Sequence, residues 1–239
     1  MITTTIRLRG GARPGRRDKA EQGVQGMTVQ GEVAAAANEL ARAGLLIGTS
    51  GNVSARAGDH VAITGTGVVL ADCTEADVTL VELDGSVTDG RLEPSSEIAL
   101  HLAVYRSSDA AAVVHTHAPY STAAACVLSE LPVLHYQHLA LGGAVRVAPY
   151  ATFGTDELAA NVVDALAGRQ AALMANHGSV AVGASLRAAM DNALLLEWLA
   201  TLHHHARQFG EPRVLTEQQQ NDVIEQAIRR GYGTPQERQ

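Results

Sequence analysis

Two histidines separated by one residue end an apolar run in the segment VVHTHAPYS, residues 113–121. In a β-strand, alternate side chains point to the same face, so His115 and His117 would hold their imidazoles side by side. Two neutral imidazoles in that arrangement can share one divalent ion. A lone pair of this kind is also common as surface or core histidines, so the segment by itself leaves both interpretations open.

A second apolar run, MANHGSV, places His177 directly before Gly178 at the end of another predicted strand. Sites in α/β folds form where strand ends open onto loops. Three histidines with one open position are typical of a catalytic rather than a structural zinc site. The sequence therefore favours a metal site that contains His115, His117 and His177.

Glu97 is the natural fourth partner of these histidines. It follows Ser95 and Ser96 in the first turn of a predicted helix, where core packing does not explain a carboxylate. The alternative is a carboxylate that interacts with the helix dipole or completes a capping box. Before other motifs are counted, the two interpretations are equally consistent with the sequence.

Three loops of small residues could hold an anion: TSGNVS at 49–54, TGTGV at 64–68 and EPSSE at 93–97. Glycine exposes backbone N–H groups, serine and threonine add hydroxyl donors, and a helix N-terminus adds a favourable dipole. This chemistry suits a phosphate dianion. Each loop taken alone is more typical of an ordinary turn.

Alternating helix and strand patterns must position these residues. Apolar spacing predicts helices, and period-two or continuous apolar runs predict strands. Helices are predicted at 29–46, where Gly44 would stop the helix, from Ser95 onwards, at 119–128 (PYSTAAACVL), at 155–166 (TDELAANVVDAL), where Thr155 would be the N-cap, and at 185–209. Strands are predicted at 52–56, at 60–64, within 78–90 together with a D-G turn, at 110–117 (AAAVVHTH), at 144–150 (AVRVAPY) and at 171–178 (AALMANHG). This order predicts an α/β or α+β domain in which helices cover a central sheet.

A single domain is expected over residues 28–232, because the chain shows no internal repeat or interior linker. Residues 1–27 are predicted to be a disordered basic extension, because six basic residues oppose only two acidic ones there and almost nothing can be buried. Residues 233–239 are expected to form a flexible tail.

The remaining composition excludes several classes of protein. The net charge of −7 disfavours nucleic acid, whose binding requires basic surface. The apolar runs are shorter than the ~20 residues of a membrane-spanning helix, so no membrane association is expected. Cys73 and Cys126 have no metal-type spacing, which favours a reducing cytoplasm.

Other histidines are better explained without a metal. His203, His204 and His205 are consecutive, and on a helix they point to different faces, so we expect a solvated or interfacial helix turn. His101 and His135 are expected to pack or form hydrogen bonds. Trp198 is expected in a helix core or a subunit interface.

Seven motifs follow one another along the chain: GNVSAR, TGTGV, PSSE, VVHTHAP, HYQHLALGG, APYATFGTDELA and NHG. Their order and separations resemble those of the class II aldolase/adducin family, most closely its fuculose phosphate aldolases. The resemblance covers about residues 28–232. It implies an α/β fold with a central, mainly antiparallel sheet covered by helices on both sides. It also implies a C4 homotetramer with active sites between subunits.

The resemblance also implies roles for individual residues. His115, His117 and His177 would bind Zn²⁺, with Mn²⁺, Fe²⁺ or Co²⁺ also suited to the ligands, and Glu97 would be both a displaceable ligand and the catalytic base. Tyr136 and the neighbouring subunit's copy of Tyr232 would handle a proton on the cleaved carbon's hydroxyl. The substrate phosphate would be held by Gly51, Asn52, Thr66, Gly67, Ser95 and Ser96.

The implied reaction is reversible cleavage of a ketose 1-phosphate, L-fuculose 1-phosphate-like or a 5-deoxypentulose 1-phosphate, to dihydroxyacetone phosphate and an aldehyde through a metal-stabilised enediolate. Asn176, which replaces a frequent histidine, and His138, expected near the substrate, leave the aldehyde open. A dehydratase of the family would keep Glu97, whereas its 4-epimerases typically carry Asp there. A non-catalytic adducin-like domain would lack metal ligands, and a cupin dioxygenase would have its Glu after the HxH pair.

Overall fold

The structure is a computed structural model that describes residues 27–231. Tyr232, residues 233–239 and nearly all of the predicted N-terminal extension lie outside the described residues.

A nine-stranded sheet forms the centre of the molecule, in the order β4-β3-β2-β1-β5-β9-β8-β7-β6. All neighbouring strands are antiparallel except β7 and β8, so the sheet is mixed but mainly antiparallel, as predicted. The strands are β1 Asn52–Ala57, β2 His60–Thr64, β3 Val78–Glu82, β4 Val87–Asp89, β5 Ala112–Thr116, β6 Glu130–Leu131, β7 Val145–Ala148, β8 Ala171–Met174 and β9 Gly178–Gly183.

Helices cover both faces of the sheet, which confirms the predicted architecture. One face packs on α1, α3 and α5, and the opposite face packs on α2 and α4. The helices are α1 Val29–Arg42, α2 Ile98–Ser107, α3 Pro119–Ala125, α4 Asp156–Leu166, α5 Leu186–Phe209 and α6 Glu217–Arg230. None of the helices within 27–231 is long and apolar enough to span a membrane.

Local sequence signals explain the ends of the helices. Thr28, Thr155 and Ser185 each accept a backbone hydrogen bond as N-caps of α1, α4 and α5. Gly44 adopts a φ of 80° just beyond α1, which fits its predicted role as a stop. The predicted strands 52–56 and 60–64 correspond to β1 and β2, and Pro119 begins α3 as expected.

Three elements were absent from the sequence prediction, among them the two-residue strand β6. Strand β9 follows His177 directly and pairs with β5 and β8, so it completes the centre of the sheet. Helix α6 follows α5, and none of its residues is buried.

Two predicted placements are also corrected. Glu97 is not in the first helical turn: it is the N-cap residue of α2, and its side chain makes no capping bond. Of the two alternatives for Trp198, the helix core is excluded, because 46% of its surface is exposed in this chain; the subunit interface stays a prediction.

Candidate active site

Four potential ligand side chains converge at the middle of the sheet. One nitrogen from each of His115, His117 and His177 and one Glu97 oxygen all lie within 4.8 Å of one another. The Nε2 atoms of His115 and His117 are 3.0 Å apart. Glu97 Oε2 lies 3.0 Å from Nε2 of His115, and Oε1 lies 3.3 Å from Nε2 of His177.

Strand pairing brings the first two histidines to this point. His115 is in β5 opposite Asn52 of β1, and His117 lies one residue beyond the end of β5. His177 is not at the end of a strand as predicted, because β8 ends at Met174 and His177 occupies the tight turn into β9. Asn176 has a φ of 53° in this turn, a left-handed conformation that asparagine tolerates.

Gly178 allows the histidines to approach each other. A Cβ atom on this residue would lie 2.4 Å from the carbonyl oxygen of Thr116 and 3.0 Å from Cδ2 of His117. Any side chain here would therefore push β9 away from the end of β5. The glycine in NHG is a steric requirement of the cluster.

Hydrogen bonding orients the His115 ring. Its Nδ1–H donates to the backbone carbonyl of Ser179 at 2.9 Å, which turns Nε2 towards the other side chains of the cluster. Such an outer hydrogen bond commonly orients a metal-binding histidine. Burial, followed by the charges of His115 and His177, lowers the pKa of His117 to about 4, which keeps its ring neutral near pH 7.

Glu97 is buried, with 6% of its surface exposed. Burial raises its pKa, but hydrogen bonding and charge from His115, with contributions from His177 and Asn52, outweigh that effect and hold the pKa well below its usual range. Asn52 Nδ2 donates to Oε2 at 3.0 Å, whereas Oε1 accepts no hydrogen bond from the described residues. The buried carboxylate thus presents one unsatisfied oxygen to the histidines.

This donor set fits a divalent metal ion. Three neutral imidazoles and a carboxylate are ligands of the borderline metals, Zn²⁺ among them. A carboxylate oxygen that is buried among three imidazoles without a hydrogen bond would be costly unless a cation occupied the space between them.

A cleft of about 400 Å³ opens beside the cluster. The three small-residue loops meet there: Gly65 forms a β-bridge with Pro94, and Thr66 N donates to the carbonyl of Glu93. The predicted site residues that line the cleft are Gly51, Asn52, Thr66, Gly67, Ser95, Ser96, Glu97, His117 and His177. Gly51 has a φ of 90°, and a Cβ there would lie 2.7 Å from the carbonyl oxygen of His115.

The cleft contains further residues that the sequence analysis did not assign to the site. Thr49 and Ser50 precede Gly51 in the first loop, and their hydroxyl groups could have been counted with it. Tyr150 and Phe153 line the mouth and are 63% and 64% exposed. Both aromatic residues lie in the motif APYATFGTDELA, but the sequence analysis gave them no role, because only the fold brings this segment to the cleft.

Tyr136 is not among the described residues that line the cleft. It begins a short 3₁₀ helix, Tyr136–Leu141, and borders a separate hollow next to α6 that contains Asp222 and Arg230. His138 is also not among the described residues that line the cleft: it is fully buried, and its Nδ1–H donates to the His135 carbonyl.

Several other described histidines lie outside the cluster. His135 accepts a hydrogen bond from the backbone of Gln137, and His101 is buried and hydrogen-bonded, as expected. His204 and His205 are exposed on α5, where the ring of His204 lies 5.4 Å from that of Tyr120.

Comparisons with known proteins agree with this geometry. A family model, the class II aldolase and adducin N-terminal domain, matches residues 31–204. The chain is 40% identical to a 5-methylthioribulose-1-phosphate/5-deoxyribulose-1-phosphate aldolase of Rhodospirillum rubrum over 192 residues, 80% of this chain and 86% of that protein. It is 42% identical to an L-fuculose phosphate aldolase of Escherichia coli K12 over 167 residues, 69% of this chain and 77% of that one. A solved L-fuculose 1-phosphate aldolase superposes with a TM-score of 0.80 at 36% identity and covers 84% of this chain and 96% of its own.

Proposed function

Because the chain belongs to the class II aldolase and adducin family, we propose that it is a metal-dependent aldolase that reversibly cleaves a ketose 1-phosphate to dihydroxyacetone phosphate and an aldehyde. The observation that carries this proposal is the convergence of Glu97 and three histidines within 4.8 Å, beside a cleft lined by three small-residue loops.

The cluster supports metal-assisted proton transfer. His115, His117 and His177 would hold the metal, for which we propose Zn²⁺, and the same ligands suit Mn²⁺, Fe²⁺ or Co²⁺. When bound, the metal would act as a Lewis acid towards the substrate carbonyl. Glu97 would hold the proton exchanged with the carbon next to that carbonyl, and its unbonded Oε1 is the oxygen available for this task.

The small-residue loops would bind the phosphate group. Hydroxyl groups of Thr66, Ser95 and Ser96 and the backbone of Gly51 and Gly67 border the same cleft. Binding energy at the phosphate would hold the reacting carbon beside Glu97, where it accelerates the reaction through orientation.

The substrate is proposed to be L-fuculose 1-phosphate-like or a 5-deoxypentulose 1-phosphate. Both classes appear in the names of relatives that are 40% and 42% identical. The aromatic residues at the mouth of the cleft, Tyr150 and Phe153, would contact the part of the substrate that leaves as aldehyde.

We also propose a C4 homotetramer in a reducing cytoplasm. Tyr136 lies away from this chain's own cleft, so it would reach a neighbour's site, as would Tyr232. Large apolar side chains remain exposed on the described surface, among them Val127, Trp198 and Ile228. Cys73 and Cys126 are unpaired, which suits a reducing compartment.

The test is release of dihydroxyacetone phosphate from a panel of ketose 1-phosphates, with and without chelator and added zinc. We expect release that the chelator abolishes and zinc restores, and the preferred ketose names the substrate. Substrate loss without this product would indicate a dehydratase or 4-epimerase of the family. No reaction with any member of the panel would favour a non-catalytic, adducin-like domain.

A further inference from the structure

A hydrogen-bonded network of buried polar side chains extends from Glu97 into the interior between β1 and α2. Its members are Asn52, His101, Ser54 and Tyr105, and none is more than 3% exposed. Each contacts the next: Asn52 Oδ1 meets His101 Nε2, His101 Nδ1 lies 2.6 Å from Ser54 Oγ, and Ser54 Oγ lies 2.8 Å from the hydroxyl of Tyr105. Buried polar groups at this density are costly unless every one is satisfied.

The spacing of residues along β1 and α2 brings the members of this network into contact. Asn52 and Ser54 are two residues apart on β1, so both point to the face that packs on α2. His101 and Tyr105 are four residues apart on α2, so they lie one above the other on the helix. A two-residue step of a strand and a four-residue step of a helix have similar lengths, which allows the polar pairs to meet.

The direction of every hydrogen bond follows from the carboxylate. Glu97 Oε2 can only accept, so the Asn52 amide must present Nδ2–H to it and Oδ1 to His101. His101 must then carry its proton on Nε2 and accept from Ser54 at Nδ1, which leaves Ser54 to accept from Tyr105. Burial lowers the pKa of His101 to about 3, with a smaller contribution from His115, so the neutral ring that this arrangement requires is maintained.

This arrangement prevents rotation of the Asn52 carboxamide. A flipped amide would point its carbonyl oxygen at the Glu97 carboxylate and its NH₂ group at the N–H of His101, which are two repulsive contacts. With the flip excluded, Asn52 engages Oε2, while Oε1 accepts no hydrogen bond from any residue within 27–231. One N–H of Asn52 remains for a ligand in the cleft.

We propose that His101 is a positioning residue, which fixes the Asn52 amide so that Glu97 keeps Oε2 bonded and Oε1 free for proton transfer. The expected change in kcat rests on the proposed aldolase reaction. The expected tautomer of His101 and the protection of the Asn52 amide concern the metal-free protein and do not depend on that reaction.

The kinetic test uses three variants of the full chain. His101→Leu removes the donor to Asn52 and should lower kcat by about 10- to 100-fold, the effect of losing a hydrogen bond that orients a charged group, with KM within about twofold. His101→Gln places an amide N–H near the position of Nε2 and should recover most of kcat. Tyr105→Phe is the matched control. It removes a buried hydroxyl from the same hydrogen-bonded network and the same helix but leaves the contact between His101 and Asn52, so kcat should stay within about threefold of the wild type.

The second readout does not need activity. In metal-free protein with ¹⁵N-labelled histidine and asparagine, His101 should show the Nε2–H tautomer, and the Asn52 side-chain amide should be protected from hydrogen exchange. His101→Leu should lose that protection, whereas His101→Gln and Tyr105→Phe should keep it. If His101→Leu does not fold, the tautomer of the wild-type protein decides: Nε2–H supports the positioning role and Nδ1–H overturns it.

The outcomes separate the two proposals. An Nδ1–H tautomer for His101, unchanged kcat and amide protection in His101→Leu, or an equal loss of kcat in Tyr105→Phe would each overturn the positioning role. A wild-type protein that shows the expected tautomer and protected amide but cleaves no ketose 1-phosphate would instead overturn the aldolase proposal.

Discussion

Glu97 is subject to opposing influences, since burial favours its neutral form while His115, His177 and Asn52 favour the carboxylate. The second influence prevails, so the residue is ionised and can accept a proton at neutral pH. A base that is charged and desolvated is suited to proton transfer only if its surroundings hold it in place. At the scale of single residues, the site therefore depends as much on the partners of Glu97 as on Glu97.

Glu97→Gln should abolish most turnover and leave metal binding in place. The amide keeps the size of the side chain but cannot take a proton, and general base catalysis contributes about 10²- to 10⁴-fold. We expect kcat to fall within that range while zinc content, measured by elemental analysis, stays at the wild-type level. Normal lyase activity in this variant would show that another group is the base.

His117→Ala should lose the metal. One of three imidazoles is removed, and affinity should fall by more than the roughly 10- to 100-fold effect of losing an outer hydrogen-bond partner. Competition with a chromophoric chelator measures this change. His205→Ala is the control, because His205 is exposed on α5 and lies outside the cluster; equal zinc affinity in the two variants would contradict the ligand assignment.

At the scale of elements, the β8–β9 turn determines how closely the side chains of the Glu97–histidine cluster meet. Gly178 begins β9 at a point where a Cβ would lie 2.4 Å from the carbonyl oxygen of Thr116. The turn must therefore move if this residue acquires a side chain, and His177 must move with it. No local flexibility can absorb the change, because β9 is hydrogen-bonded on both sides.

Gly178→Ala should weaken zinc binding as well as stability. Overpacking of this kind typically costs about 1–3 kcal/mol. The control is Gly58→Ala in the β1–β2 turn, where φ is 64° and no atom would contact the new Cβ. It should cost about 1–2 kcal/mol through backbone strain alone and keep wild-type zinc affinity. Calorimetric unfolding and zinc titration of both variants distinguish the effects; unaltered zinc affinity in Gly178→Ala would contradict the steric argument.

The elements around this turn also show how far sequence reasoning could reach. Residue types and spacing favoured a metal site at His115, His117 and His177, although His177 lies in a turn and not at a strand end. For Glu97 they left a capping or helix-dipole role open, and only the family resemblance favoured the ligand role. Strand β9 was missed because its sequence, GSVAVG, is short, bounded by glycine and buried at every position, so it has no alternation to recognise.

Other features were beyond a local pattern. The pairing of Asn52 with His115 joins strands about 60 residues apart, and the placement of His101 against Asn52 depends on how α2 packs on β1. These contacts depend on tertiary packing, which one segment of sequence does not encode. Local signals thus indicated the candidate ligands, whereas the partners that orient them required the fold.

At the scale of the whole molecule, buried neutral histidines link stability to pH. His101 and His138 are fully buried, and burial lowers their pKa values to about 3 and about 4. In the unfolded chain both would titrate near 6.5. Between about pH 6.5 and pH 4 the unfolded chain therefore binds protons that the native protein does not, and the free energy of unfolding falls as the pH falls.

We expect the urea midpoint of the metal-free protein to be constant above about pH 7 and to decrease steadily towards about pH 5, with up to roughly 1.4 kcal/mol lost per pH unit for each histidine. His138→Asn keeps a donor for the His135 carbonyl but cannot titrate, so its slope should be smaller by about one proton. A midpoint that does not change over this range would contradict the assignment of neutral buried rings.

The position of Tyr136 has a consequence for genetics. If each cleft takes Glu97 from one subunit and Tyr136 from its neighbour, then Glu97→Gln and Tyr136→Phe damage different halves of the same site. Subunits of the two inactive variants, unfolded and reassembled together, should regain activity, because about a quarter of the interfaces in randomly mixed rings combine two intact halves. Two null alleles would thus complement each other when expressed in one cell, whereas a site contained within one subunit would leave the mixture inactive.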